Sequence, residues 1–143
     1  MKKVFLDSSV LVAASGSIAG ASALTLGYCR NRKIKGYVSI DVIGEARKNI
    51  NLKFGGKEKD RFKFLLKHAN LILTDLSTIE KISESESVIN AKDAPILAAY
   101  KKSKALFLIT LDRKHFLKPE VTKFTRGQKI LTPGEFVQKY LRV

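Results

Sequence analysis

The chain has 143 residues, 45% of them apolar, and one cysteine, so it is sized for a single domain (residues 1–143) and cannot form an internal disulfide or a cysteine-based metal site. No apolar run reaches the roughly 20 residues a membrane helix needs, and the N-terminus enters a strand at once with no signal-peptide cleavage pattern, so the expected location is cytoplasmic, with no membrane partner. The formal net charge of +14 favours a polyanionic partner through counterion release, while a Lys-rich surface for solubility or heat adaptation is the plain alternative.

Lys3 to Leu6 reads as a short buried strand, with Ser8 and Ser9 supplying N-cap chemistry for a helix through Val10–Ala14. Ser15–Gly20 is a small-residue break, and a second helix is predicted from about Ala21 to Lys33. Tyr37–Ile40 reads as the second strand. Asp41 is predicted to cap a third helix carrying Val42, Glu45, Ala46 and Ile50 at three- and four-residue spacing, which ends near Gly55-Gly56.

From Lys57 to Ala69 the positions Phe62, Leu65, Leu66 and Ala69 form a helical stripe. Leu71–Thr74 is a third strand, and the polar stretch Ser77–Asn90 a helix, or a helix and a loop. Asp93–Lys102 is a further helix, and Leu106–Ile109 a fourth strand whose unbroken hydrophobicity suits a buried parallel sheet. Lys129–Thr132 is a fifth strand, and Pro133 starts a last helix over Glu135–Leu141. Strands alternating with helices predict the α/β class: a parallel sheet of about five strands with helices on both faces, in the order βααβααβ-helix-helix-ββα.

Four acids stand at matched places in this plan. Asp7 ends the first strand, Glu45 lies in the third helix, Asp93 opens a helix, and Asp112 follows the fourth strand. Strand C-termini and the adjacent helix starts converge at one sheet edge, where such folds place their sites. Acids gathered there repel one another unless a cation is present. The expectation is a Mg²⁺ or Mn²⁺ site for phosphodiester chemistry. Asp93 is in register with Ile96, Leu97 and Tyr100 and so shares the apolar face of its helix, where an unpaired carboxylate is expensive. The alternatives are helix caps for Asp7 and Asp93, a surface Glu45 paired with Lys48 or Asn49, and a turn residue at Asp112.

Together these segments resemble the PIN-domain nucleases. Val4-Phe5-Leu6-Asp7-Ser8-Ser9 is similar to the opening motif of that family, and Glu45 to its helix acid. Lys92–Tyr100, Leu108–Phe116 and Ile130–Phe136 are similar to the segments that follow, so the resemblance spans essentially the whole chain. It implies metal-assisted hydrolysis of RNA, with Asp7, Asp93 and Asp112 as direct ligands, Glu45 as a ligand or the holder of a metal-bound water, and the hydroxyls of Ser9 and Thr110 in support. Many small members, the VapC-like ones, are toxins of toxin–antitoxin pairs. The implied partners are therefore RNA, an antitoxin protein and a second copy of the chain, the last through Ala13–Ala23. Arg113 and Lys114 stand where some members carry a further acid.

The remaining residues are read as support. The runs Arg30–Lys35 and Lys57–Lys67 are candidate phosphate contacts or solvated faces, and His68 and His115 are expected to be structural or surface residues. Tyr28, Phe62, Phe64 and Tyr100 could stack on bases, but core packing suits most of them better. No phosphate-binding Gly-x-x-x-x-Gly-Lys loop occurs. Ser9 replaces the second Asp of a haloacid-dehalogenase phosphatase, and the acidic pair of a receiver domain is missing. The rivals left open are a non-catalytic RNA-binding or ribosome-associated protein of the same fold, and a DNA-directed nuclease.

Overall fold

The computed structural model describes residues 1–141. The first half runs β1 (Lys3–Leu6), α1 (Ser8–Gly16), α2 (Ala21–Arg30), β2 (Lys35–Val38), α3 (Ile40–Lys53), α4 (Gly56–His68) and β3 (Ile72–Leu73). The second half runs α5 (Ile79–Glu86), α6 (Ala94–Ser103), β4 (Phe107–Ile109), α7 (Arg113–Phe116), α8 (Pro119–Thr125), β5 (Lys129–Leu131) and α9 (Pro133–Phe136). A π-helical turn, Val137–Leu141, follows α9. Among the described residues, five strands form one parallel sheet in the order β3-β2-β1-β4-β5.

The central strands explain themselves from composition. Val4, Phe5 and Leu6 are all fully buried, and neighbouring strand residues point to opposite faces, so helices must cover both sides of β1. β1 pairs with β4 in the register Val4↔Phe107, Phe5↔Leu108, Leu6↔Ile109. It pairs with β2 as Lys3↔Lys35, Val4↔Gly36 and Phe5↔Tyr37. α1 packs against α2, α3 and α4, while α5 packs on α6. Phe5 meets Tyr100 with ring centroids 5.9 Å apart, and Phe107 meets Phe136 edge-on at 5.3 Å.

Gly36 is where the sheet tolerates no side chain. A Cβ there would sit 2.6 Å from Cys29 Sγ and 3.2 Å from Leu71 Cδ2. We expect Gly36→Ala to cost about 1–3 kcal/mol through this overlap, read as a lower denaturation midpoint in urea with unchanged m-value.

Several boundaries differ from the sequence reading. β2 covers 35–38 rather than 37–40, because Ser39 stops the strand and caps α3, its side chain accepting from Val42 N. Ser39, not Asp41, is the cap, and Ile40 enters the helix 55% exposed. Asp7 occupies the N-cap position of α1 with no side-chain capping bond, and Ser8 and Ser9 lie inside the helix. α2 stops at Arg30 rather than Lys33, and the left-handed backbone of Arg32 turns the chain into β2. The connection from β4 to β5 carries α7 and α8, which the basic, Pro-interrupted sequence there does not announce. The final helix begins at Pro133, under a capping box of Thr132 and Glu135, and continues as the π-helical turn.

Candidate active site

From β1 the chain steps outward to β2 and β3, then returns to the other side of β1 to build β4 and β5. The direction of winding reverses between β1 and β4, which opens a crevice at their carboxyl ends. Asp7 immediately follows β1, and Asp112 lies three residues beyond β4. Asp93 is the N-cap residue of α6, and Glu45 projects from α3.

Asp7 is held from across the crevice. Its Oδ2 accepts from Ser9 Oγ at 2.7 Å and from Thr110 Oγ1 at 2.8 Å. Ser9 Oγ in turn accepts from Leu111 N at 3.0 Å, and Thr110 Oγ1 accepts from Asp112 N at 3.0 Å. The two hydroxyls therefore tie the end of β1 to the turn after β4 and fix both acids in one frame. Asp7 is only 3% exposed. Burial pushes its carboxyl above the ordinary 3.8, as does nearby Asp93, against the lowering pull of the Ser9, Thr110 and Ser8 hydrogen bonds.

Glu45 is also pushed up, first by burial and then by the charge of Asp7, with Asp93 adding to it; Lys92 opposes the shift. Lys92 Nζ lies 3.7 Å from Glu45 Oε1, so the partner of Glu45 is Lys92 rather than Lys48 or Asn49. Among the described residues it is the one lysine or arginine salt bridge to these four acids.

Asp93 does not cap α6 with its side chain. Instead Asn90 Nδ2 donates to Asp93 Oδ2 at 2.9 Å, and Asn90 Oδ1 accepts from Asp93 N at 3.0 Å. Asp112 caps the short α7, accepting from His115 N at 3.1 Å. His115 Nδ1 lies 2.9 Å from Asp112 Oδ2 and 3.9 Å from Asp93 Oδ2. One ligand atom each from Asp93, Asp112 and His115 falls within 4.8 Å of the other two.

The four sequence-derived acids thus share one edge: Asp7, Glu45 and Asp93 feel one another's charge, and Asp93 faces Asp112 across His115. Buried like charges of this kind are relieved by a cation. Carboxylate oxygens are the donors a hard divalent ion accepts, so the residues present fit a Mg²⁺ or Mn²⁺ ion.

Two participants escaped the sequence reading. His115 touches the acid edge, with Nδ1 2.9 Å from Asp112 Oδ2; Asp112-x-x-His115, one helical turn apart, was the available signal. Lys92 is adjacent to Asp93 in sequence, yet its reach to Glu45 depends on how α3 and α6 pack. Conversely, the Arg30–Lys35 run enters β2 at its amino end, the sheet edge opposite the acids. Tyr100 and Phe62 are buried in the core, while Phe64 is 45% exposed and meets the exposed His68 ring in a tilted contact.

Residues 3–114 match the family model of the PIN domain. The chain belongs to the PIN-domain family, whose general activity is nuclease hydrolysis. Its fold is similar to that of VapBC2 from Rickettsia felis, solved bound to a DNA fragment from their promoter, with a TM-score of 0.65 and 16% identity over 90% of this chain and 96% of that one. PAE2754 from Pyrobaculum aerophilum aligns with a TM-score of 0.63 and 17% identity, over 99% of this chain and 91% of that one. No curated protein matches the chain in sequence.

Proposed function

We propose that the chain is a divalent-metal-dependent endoribonuclease, acting as the toxin of a toxin–antitoxin pair in the cytoplasm. The observation that carries this reading is the acid edge itself: Asp7, Glu45, Asp93 and Asp112 converge at the switch point of a sheet in a protein of net charge +14. Such an arrangement attracts a phosphate backbone over the whole surface and repels it at one place unless a cation intervenes.

In this reading Asp7, Asp93 and Asp112 hold the ion and Glu45 assists them. Bound there, Mg²⁺ or Mn²⁺ supplies Lewis-acid stabilisation of the phosphodiester and a nucleophile at neutral pH. Ser9 and Thr110 keep the Asp7 carboxylate in one orientation. Lys92, Arg113 and Lys114 are exposed around the acids and offer contacts to flanking phosphates.

The toxin assignment draws on the small members of the family and on the fold likeness to VapBC2. A groove lined by Ala14, Ile18, Leu26, Phe64 and Leu65, with Arg30 and Arg61 beside them, offers an antitoxin an apolar surface of positive character. A second copy of the chain docking through Ala13–Ala23 remains part of this proposal; that stretch shares Ala14, Ile18 and Ala23 with the groove, so the two partners would meet there.

The test is cleavage of end-labelled single-stranded RNA and of DNA of the same sequence, with Mg²⁺, with Mn²⁺ and with EDTA. We expect ion-dependent RNA cleavage that EDTA abolishes. Preferential DNA cleavage would reassign the substrate, and binding without cleavage of either would favour a non-catalytic RNA-binding protein.

A further inference from the structure

The acid edge contains a nitrogen. His115 stands one turn after Asp112, with Nδ1 at 2.9 Å from Asp112 Oδ2 and 3.9 Å from Asp93 Oδ2. Donors at right angles around an ion with bonds of about 2.1 Å are about 3 Å apart, and opposed donors about 4.2 Å apart. The two observed separations lie close to those bounds. A single ion can therefore contact all three residues once the Asp93 and Asp112 oxygens, which lie within 4.8 Å of each other, draw together. The His115 side chain is 37% exposed, so it lies at the solvent-facing rim of the acid edge.

We propose that His115 is a further ligand of this site and that it biases the ion preference toward divalent transition ions over Mg²⁺. The inference rests on the acid edge being the metal site. Mg²⁺ is hard, prefers oxygen and gives up its waters reluctantly, so an imidazole adds little to its binding. Ions further along the first transition row gain from nitrogen donors. Carboxylates alone discriminate weakly between the two kinds of ion; one nitrogen in the set changes that.

The same geometry permits a lesser role. His115 N donates to Asp112 Oδ1 at 3.1 Å, and a ring N–H on Oδ2 would complete a clamp that merely holds the carboxylate. His115→Asn separates the two roles. The amide N–H₂ of asparagine can make the hydrogen bond that Nδ1–H makes, but it has no nitrogen lone pair to give an ion.

The experiment is calorimetric titration of metal-free wild type, His115→Asn and Asp93→Asn with Mg²⁺ and with Co²⁺, alongside pulsed electron paramagnetic resonance of the Mn²⁺-loaded proteins. We expect His115→Asn to weaken Co²⁺ binding at least about 10-fold while Mg²⁺ binding stays within about twofold. Loaded with Mn²⁺, the wild type should show nitrogen hyperfine coupling that His115→Asn lacks. An unchanged Co²⁺-to-Mg²⁺ ratio without nitrogen coupling in the wild type overturns the proposal and leaves His115 as a holder of Asp112. Should folded wild type take up neither ion, the acid-edge reading fails and this inference falls with it. If both ions bind and Asp93→Asn weakens both, the site stands and the His115 comparison decides alone.

Discussion

Asp7→Asn is expected to lower RNA cleavage at least about 100-fold while leaving the far-ultraviolet circular dichroism of the wild type intact. The substitution keeps the shape of the side chain and an oxygen to accept from Ser9 and Thr110, so the frame joining β1 to the turn after β4 survives. What it removes is the negative charge at the centre of the edge, the one felt by Glu45. Asp93→Asn should behave similarly, because Asn90 can still hydrogen-bond the remaining oxygen. By contrast, Ser9→Ala should lose less, about 10-fold, since Thr110 continues to hold Asp7. Single-turnover cleavage with enzyme in excess separates these cases. Wild-type rates in Asp7→Asn would sink the assignment of the acid edge as the catalytic centre.

The same acids set a second expectation, for stability. Mn²⁺ or Mg²⁺ at about 100 times its Kd should raise the melting temperature by about 5–10 °C, since binding to the folded state alone is worth about 2.7 kcal/mol at that ratio. In EDTA, with no ion to offset the buried charge, Asp7→Asn should melt above wild type at neutral pH.

The sign follows from the raised carboxyl of Asp7. An acid whose folded-state pKa exceeds its unfolded value contributes fully to stability below the unfolded value and loses that contribution as pH rises through the folded one. The advantage of Asp7→Asn in EDTA should therefore be absent below the ordinary 3.8, grow as pH rises above it, and level off above the raised value. Glu45, shifted the same way from 4.5, should add to the wild type's loss over an overlapping window. Thermal melts of both proteins across pH, with EDTA and with Mn²⁺, read this directly. A loss of stability in Asp7→Asn that is equal with and without ion would mean that Asp7 serves the fold alone.

Much of this architecture is written in local composition. Val4–Leu6 of β1 and the whole of β4 are unbroken apolar runs because both faces of a parallel sheet are covered, so burial leaves a mark at each of these positions. Asp7 stands out because a charge directly after such a run has a single place to go, the carboxyl edge, and Asp112 because it ends the short turn that follows β4. Asp93 stands out because it breaks the apolar stripe of Ile96, Leu97 and Tyr100, all of which are buried. By itself, then, the sequence determined the α/β class, the approximate strands, the four acids and the family.

Boundaries set by competing caps were less legible. Ser39 and Asp41 both suit a helix start, and the choice fell to Ser39, whose side chain accepts from Val42 N. α7 and α8 are short, and each is anchored by a residue buried in the fold, Phe116 in α7 and Val121 in α8, rather than marked by a long periodic pattern.

The site's contacts belong to the tertiary structure. Thr110 reaches Asp7 across 103 positions of sequence, and it does so because Leu6 pairs with Ile109. Lys92 finds Glu45 through the packing of α3 on α6, although Lys48 and Asn49 are far nearer in sequence. His115 becomes a neighbour of Asp93 once the β1–β4 crevice brings α6 and α7 to one edge. The sequence shows which residues can carry charge or a lone pair. Which of them share a few ångströms is decided by strand register and helix packing, which arise from burial summed over the whole chain.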